Sequence, residues 1–163
     1  MAQQHLVKMV RGDYLPDLEK VIQDSTSEYL AGIHCSEVIF KNVTREWQPG
    51  FDTGLVRIAT PFGGGIADRE DACGALVGGL MVIGYLFGRR SLDESQDFCW
   101  ELSQKFYDRF KANFCATTCH SIKDRIPDWD EKVKCSQTVS QSITILWQLL
   151  DDAQKAGRIK SQR

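Results

Sequence analysis

The chain has 163 residues, 42% hydrophobic and 26% charged, with a formal net charge of −2. That is enough for one domain with its own core, and the near-neutral balance leaves no basic stripe, so neither nucleic acid nor an anionic membrane surface is the expected partner. The first five residues carry no cationic run followed by an apolar one; no secretory leader is read, and a cytoplasmic setting is expected, where six cysteines serve as ligands, redox groups or buried thiols rather than structural disulfides.

Apolar periodicity predicts helices nearly throughout and no strand pattern beyond about four residues, hence an all-α fold: a single-domain bundle (1–163) of about six helices around a glycine-rich apolar one. Pro16 and Asp17 open a first helix that runs through Leu18, Val21 and Ile22 to about Leu30, where Gly32 breaks it. A second carries Cys35, Val38, Ile39 and Val43, and Pro49-Gly50 is a turn. A third, short helix starts at Asp52 and stops at Pro61, ahead of Phe62-Gly63-Gly64-Gly65.

The fourth helix is expected to begin near Asp68, capped by it, with Glu70 and Asp71 in its first turn. Its apolar run, 72–87, is shorter than the ~20 residues that span a bilayer and carries Gly74, Gly78, Gly79 and Gly84. Glycine inside a helix costs about 1 kcal/mol against alanine, so these positions predict close approach of another backbone or of a bulky prosthetic group. A fifth helix is expected over about 92–114, through Phe98, Leu102, Phe106 and Phe110. An irregular stretch with Pro127 and Trp129 follows, then a final helix from Glu131 through Val139, Ile143, Leu146, Trp147 and Leu150, fraying into a tail at 157–163.

The chemistry concentrates on thiols. At the mouth of the fourth helix, Cys73 meets orphan backbone N–H groups that favour a thiolate; Arg69 helps, whereas Asp68, Glu70 and Asp71 oppose, so the net direction stays open. The other reading of Cys73 is a small buried hydrophobe. Backbone amides of Gly63, Gly64, Gly65 and Gly74 are the candidate cofactor contacts, because bare amides hydrogen-bond thiolates or the sulfides of a cluster. The triple glycine is no phosphate loop: no Lys-Ser or Lys-Thr follows it and no strand precedes it. Cys35, Cys119 and Cys135 gain weight together with Cys73, since a bundle builds an internal metal site from one ligand per helix. No Cys-x-x-Cys pair is present, which removes the zinc ribbon and the thioredoxin-type motif. On one helix, Cys115 and Cys119 would share a face. His34 and His120 adjoin the set and are candidate ligands in a mixed shell for zinc or a Rieske-like iron centre, or are solvent-facing. Cys99, between Phe98 and Trp100, is expected to be a buried structural thiol.

These pieces together resemble a known family. Gly32-Ile33-His34-Cys35-Ser36-Glu37-Val38, then Phe62-Gly63-Gly64-Gly65-Ile66, then Cys73-Gly74-Ala75-Leu76-Val77-Gly78, and finally Cys119 and Cys135, are similar to the redox-active C-GCAxxG-C-C proteins, with His34 where asparagine is commoner. The resemblance covers roughly residues 15–150. A similar module occurs in split-Soret-type cytochromes, where a non-haem iron–sulfur centre accompanies the haems; this chain has no Cys-x-x-Cys-His, so only the cysteine-bearing portion carries over, and Cys99 and Cys115 fall outside the pattern. The resemblance implies a redox-active role for the four shared cysteines; the first reading built on it is an electron-transfer module that binds an iron–sulfur cluster through Cys35, Cys73, Cys119 and Cys135 and meets a redox partner protein. Two further readings stand beside it: a metal-free dithiol–disulfide oxidoreductase with Cys73 and Cys35 as the catalytic pair, and a structural or interaction module with zinc on the same four thiols. A homodimer is expected from the number of apolar faces and from the family analogy.

Overall fold

The computed structural model describes residues 17–125 and 131–159. Its α-helices are α1 (Leu18–Leu30), α2 (Cys35–Trp47), α3 (Gly74–Phe87), α4 (Asp97–Phe114), α5 (Cys119–Asp124) and α6 (Glu131–Lys155). Among the described residues there is no strand, only an isolated antiparallel bridge between Ala72 and Thr118. The fold is all-α.

The first two helices form as their sequences dictate. The Asp17 carboxylate accepts from Lys20 N–H and caps α1; Gly32, at φ +112°, turns the chain after it. At the start of α2 the Glu37 carboxylate reaches back to His34 N–H and also accepts from Thr60 Oγ1 at 2.6 Å, tying the helix to the segment that follows it. That segment is not an α-helix. It forms two 3-10 turns, Thr53–Ile58 and Thr60–Phe62, and Pro61 lies inside the second. A first-turn proline has no N–H to lose, so it fits there rather than ending the element.

The largest departure lies just before α3. This helix starts at Gly74, with Cys73 at its cap, and Asp68 caps nothing. Gly64, Gly65, Ile66, Ala67 and Asp68 instead run consecutively in the left-handed region, at φ between +52° and +79°, and Glu70 joins them at +58°. An acidic stretch before an apolar run normally signals a helix start. Here cross-bonds from Ala67 N–H to Pro61 O, Asp68 N–H to Gly63 O and Glu70 N–H to Gly64 O close a compact loop first. α4 likewise begins at Asp97 rather than near residue 92: Leu92 is 88% exposed, Glu94 clasps Arg90, and Ser95 Oγ accepts from Asp97 N–H.

α3 packs against α2, α4 and α6. A Cβ at Gly78 would lie 2.7 Å from Ser36 O on α2, and one at Gly79 would collide with the Phe106 ring on α4; close helix approach therefore accounts for both glycines. Around Gly84 nothing comes within 4 Å. Away from the thiols, Val21, Val43, Ile143, Leu146 and Leu150 are buried between α1, α2 and α6, and Trp47 meets Trp147 edge-to-face at 5.4 Å. Residues 157–159 are not frayed. Arg158 pairs with Glu101 at 2.6 Å and covers the Phe98 ring at 4.2 Å. Pro127, Trp129 and residues 160–163 lie outside the described residues.

Candidate thiol site

Each cysteine of the set is delivered by a different helix. Cys35 is the first residue of α2, Cys73 caps α3, Cys119 is the first residue of α5, and Cys135 lies early in α6. A short ribbon aligns two of them. Cys73 N–H donates to Thr117 O at 2.8 Å, Cys119 N–H to Asp71 O at 2.7 Å, and His120 N–H to Glu70 O at 3.0 Å, on either side of the Ala72–Thr118 bridge. In such a pairing the residues flanking the bridge share one face, so Cys73 and Cys119 point the same way.

The four thiols interact electrostatically in every pairing among them. Cys73 and Cys119 are buried and Cys35 and Cys135 half-buried, and all are free thiols. Desolvation raises the Cys35 thiol, and the neighbouring Cys73, Cys135 and Cys119 raise it further. Cys119 is pushed up to about 12, first by burial and then by Cys73, against a lowering pull from Lys123. Cys73 is raised by burial, while the backbone N–H groups of Ala75 and Leu76 draw it down. The helix start therefore favours the Cys73 thiolate, but burial outweighs it.

Glycines pack closely against the cysteines and His34. A Cβ at Gly74 would lie 2.5 Å from Cys35 Sγ and 2.7 Å from Phe62 O, and one at Gly65 2.7 Å from Cys119 Cβ. Gly63 passes directly under the His34 ring. Among the described residues the N–H groups of Gly64 and Gly65 meet no hydrogen-bond acceptor, although Gly65 is buried; buried amides in native structures are nearly always paired.

The histidines stand apart. His34 is exposed at the cap of α2, and His120 is 65% exposed between Asp124 (3.0 Å) and Glu70 (3.4 Å). Cys115 ends α4 in the left-handed conformation and is exposed, while Cys119 begins a new helix, so the two do not share a helix face. Cys99 is half-buried, 4.0 Å from Ile83 O, and packs on the core between α3 and α4.

Among the described residues no three His, Cys, Asp or Glu side chains stand close enough to hold one metal ion. Tetrahedral zinc draws its sulfurs to about 3.8 Å of each other. A polynuclear cluster holds its ligands further apart. The donor set is all thiol, the chemistry that iron–sulfur clusters take.

The family described as "Putative redox-active protein (C_GCAxxG_C_C)" matches residues 33–149. The chain belongs to this family. The matched span takes in all four cysteines of the set and the left-handed loop. Comparison with curated proteins and with solved structures returns no match.

Two residues of this region carry no signal in the sequence. Glu70 and Lys123, 53 positions apart, pair at 3.0 Å beside Cys119. Only the ribbon of residues 70–73 and 117–120 brings them together.

Proposed function

We propose that Cys35, Cys73, Cys119 and Cys135 hold an iron–sulfur cluster and that the protein is an electron-transfer module. The observation that carries this reading is the convergence of four thiols from four helices into one coupled, largely buried group. Buried and close together, these thiols keep their protons; iron would displace the protons and take up the thiolate charge that burial alone disfavours. When bound, the cluster would supply one-electron transfer. The chain's own part is to fix the four sulfurs, to offer the Gly64 and Gly65 amides to sulfide, and to keep water from Cys73 and Cys119.

The dithiol alternative loses support from the same burial. Exchange needs an attacking thiolate, and burial raises both Cys35 and Cys73, the pair this reading assigns, away from the thiolate form. A structural zinc on the same four thiols is the other metal reading, and metal analysis separates the two. No helix among the described residues is long and apolar enough to cross a membrane. A cytoplasmic setting belongs to the proposal, supported by the free thiols. So do a redox partner protein and a second copy of the chain, the latter supported by the open flank of Gly84 and the exposed Tyr85 on α3.

Replacement of Cys73 by serine tests the ligand set. Anaerobically prepared Cys73→Ser protein should lose most of its iron and sulfide while keeping its helical circular dichroism; full iron retention removes Cys73 from the site.

A further inference from the structure

We infer that Lys123, anchored by the Glu70 carboxylate one helical turn from Cys119, is the positioning residue that tunes the reduction potential of the thiol site. This rests on the reading of the four thiols as cluster ligands.

Cys119 and Lys123 stand four residues apart on α5, on one face of the helix. The Lys123 side chain is only 20% exposed, unusual for a lysine, and its Nζ lies 3.0 Å from Glu70 Oε1. Glu70 is itself fixed from two sides. Its carbonyl accepts from His120 N–H at 3.0 Å, and its own N–H donates to Gly64 O at 3.0 Å. It adopts φ +58° to do so, a conformation a non-glycine residue takes only where its surroundings impose it. The ammonium and the carboxylate are thus both tethered beside Cys119 by the ribbon that also places Cys73.

Charge at this distance acts on the sulfur. Lys123 lies one turn from Cys119 on the same helix face, and Glu70, paired with Lys123 at 3.0 Å, is bonded to His120, the residue next to Cys119. The neighbouring pair His120 and Asp124 is more than half exposed and so more strongly screened by water and salt. Lys123, mostly out of water, is screened less. A site that gains one electron gains one negative charge. A fixed ammonium nearby favours that reduced state, and a fixed carboxylate opposes it.

The test is the midpoint potential of the full-length, cluster-loaded protein, titrated anaerobically with dithionite and followed by its visible absorption. Each reduction delivers one electron from dithionite, and no bond forms or breaks. Lys123→Gln should shift the midpoint to lower potential and Glu70→Gln to higher potential, at wild-type iron and sulfide content. Lys123→Arg, which keeps the charge, should stay near wild type. A merely structural pair would give shifts of one sign, and either that result or an unmoved midpoint in Lys123→Gln overturns the inference while leaving the cluster in place. Wild-type protein that holds no iron and sulfide fells the cluster reading first, and this inference with it.

Discussion

Where α1, α2 and α6 meet, the chain is held by side chains: Val21, Val43, Ile143, Leu146 and Leu150 are fully buried there, on regular backbone. Where α2, α3 and α5 begin, it is held by backbone: a left-handed loop, a bridged clip between residues 70–73 and 117–120, and glycines packed against Cys35 Sγ and Cys119 Cβ. The first region gains its stability from apolar burial, which tolerates small shifts in position. The second spends conformational strain to fix four thiols, and strain of this kind persists only where the rest of the fold over-determines it. The aliphatic end supports, and the thiol end is supported.

Four perturbations sharpen or break that contrast. Phe106 of α4, fully buried and seated on Gly79 of α3, extends the apolar support beyond α1, α2 and α6; Phe106→Ala should cost about 3–5 kcal/mol in urea denaturation while the folded fraction still takes up iron. A loss under about 1 kcal/mol would show that this core is not what holds the molecule. Gly74→Ala is the converse. Its methyl group would meet Cys35 Sγ and the Phe62 carbonyl, so a cost of about 1–3 kcal/mol is expected from overpacking, with iron uptake per folded chain falling sharply. Wild-type iron uptake in Gly74→Ala would remove the sulfur-shaped role of this glycine.

Alkaline pH separates the two regions without mutation. Thiols that ionise near 9.0 in the unfolded chain keep their protons when folded, Cys119 to about 12, and burial raises Cys35 and Cys73 in the same direction. Above about pH 9 the unfolded state therefore binds fewer protons and is favoured. Stability of the metal-free protein should be level below that point and decline as pH rises toward 12. An unchanged urea midpoint between about pH 8 and 10.5 would contradict the burial of these thiols. The smallest effect concerns the loop alone. Ile66, β-branched at φ +55°, sits where glycine is at ease, so Ile66→Gly should stabilise by about 1 kcal/mol; a loss would mean that the Ile66 side chain, not the backbone turn, is what the loop needs.

The same contrast explains what the sequence discloses. The registers of α1, α2 and α6 follow from apolar spacing and from Asp17 and Gly32, local signals that tertiary structure did not override. The cysteine set is legible because its members stand far apart in the chain, each in or beside a helix, and the surrounding motifs name it. The loop is not legible: Asp68, Glu70 and Asp71 read as a helix start, whereas Ala67, Asp68 and Glu70 bond back to Pro61, Gly63 and Gly64, and residues 70–73 are then held by Thr117, Cys119 and His120, nearly 50 residues on. The Glu70–Lys123 pair is hidden for the same reason. A site built from long-range backbone clips leaves little local periodicity to read.

The measurement that bears most directly on this account is the ultraviolet–visible spectrum of protein purified without oxygen, taken with iron, zinc and acid-labile sulfide analysis. The account predicts broad visible absorption with matched iron and sulfide. Colourless protein, free of iron after attempted reconstitution, would contradict it, and its zinc content would then decide between a structural ion and bare thiols.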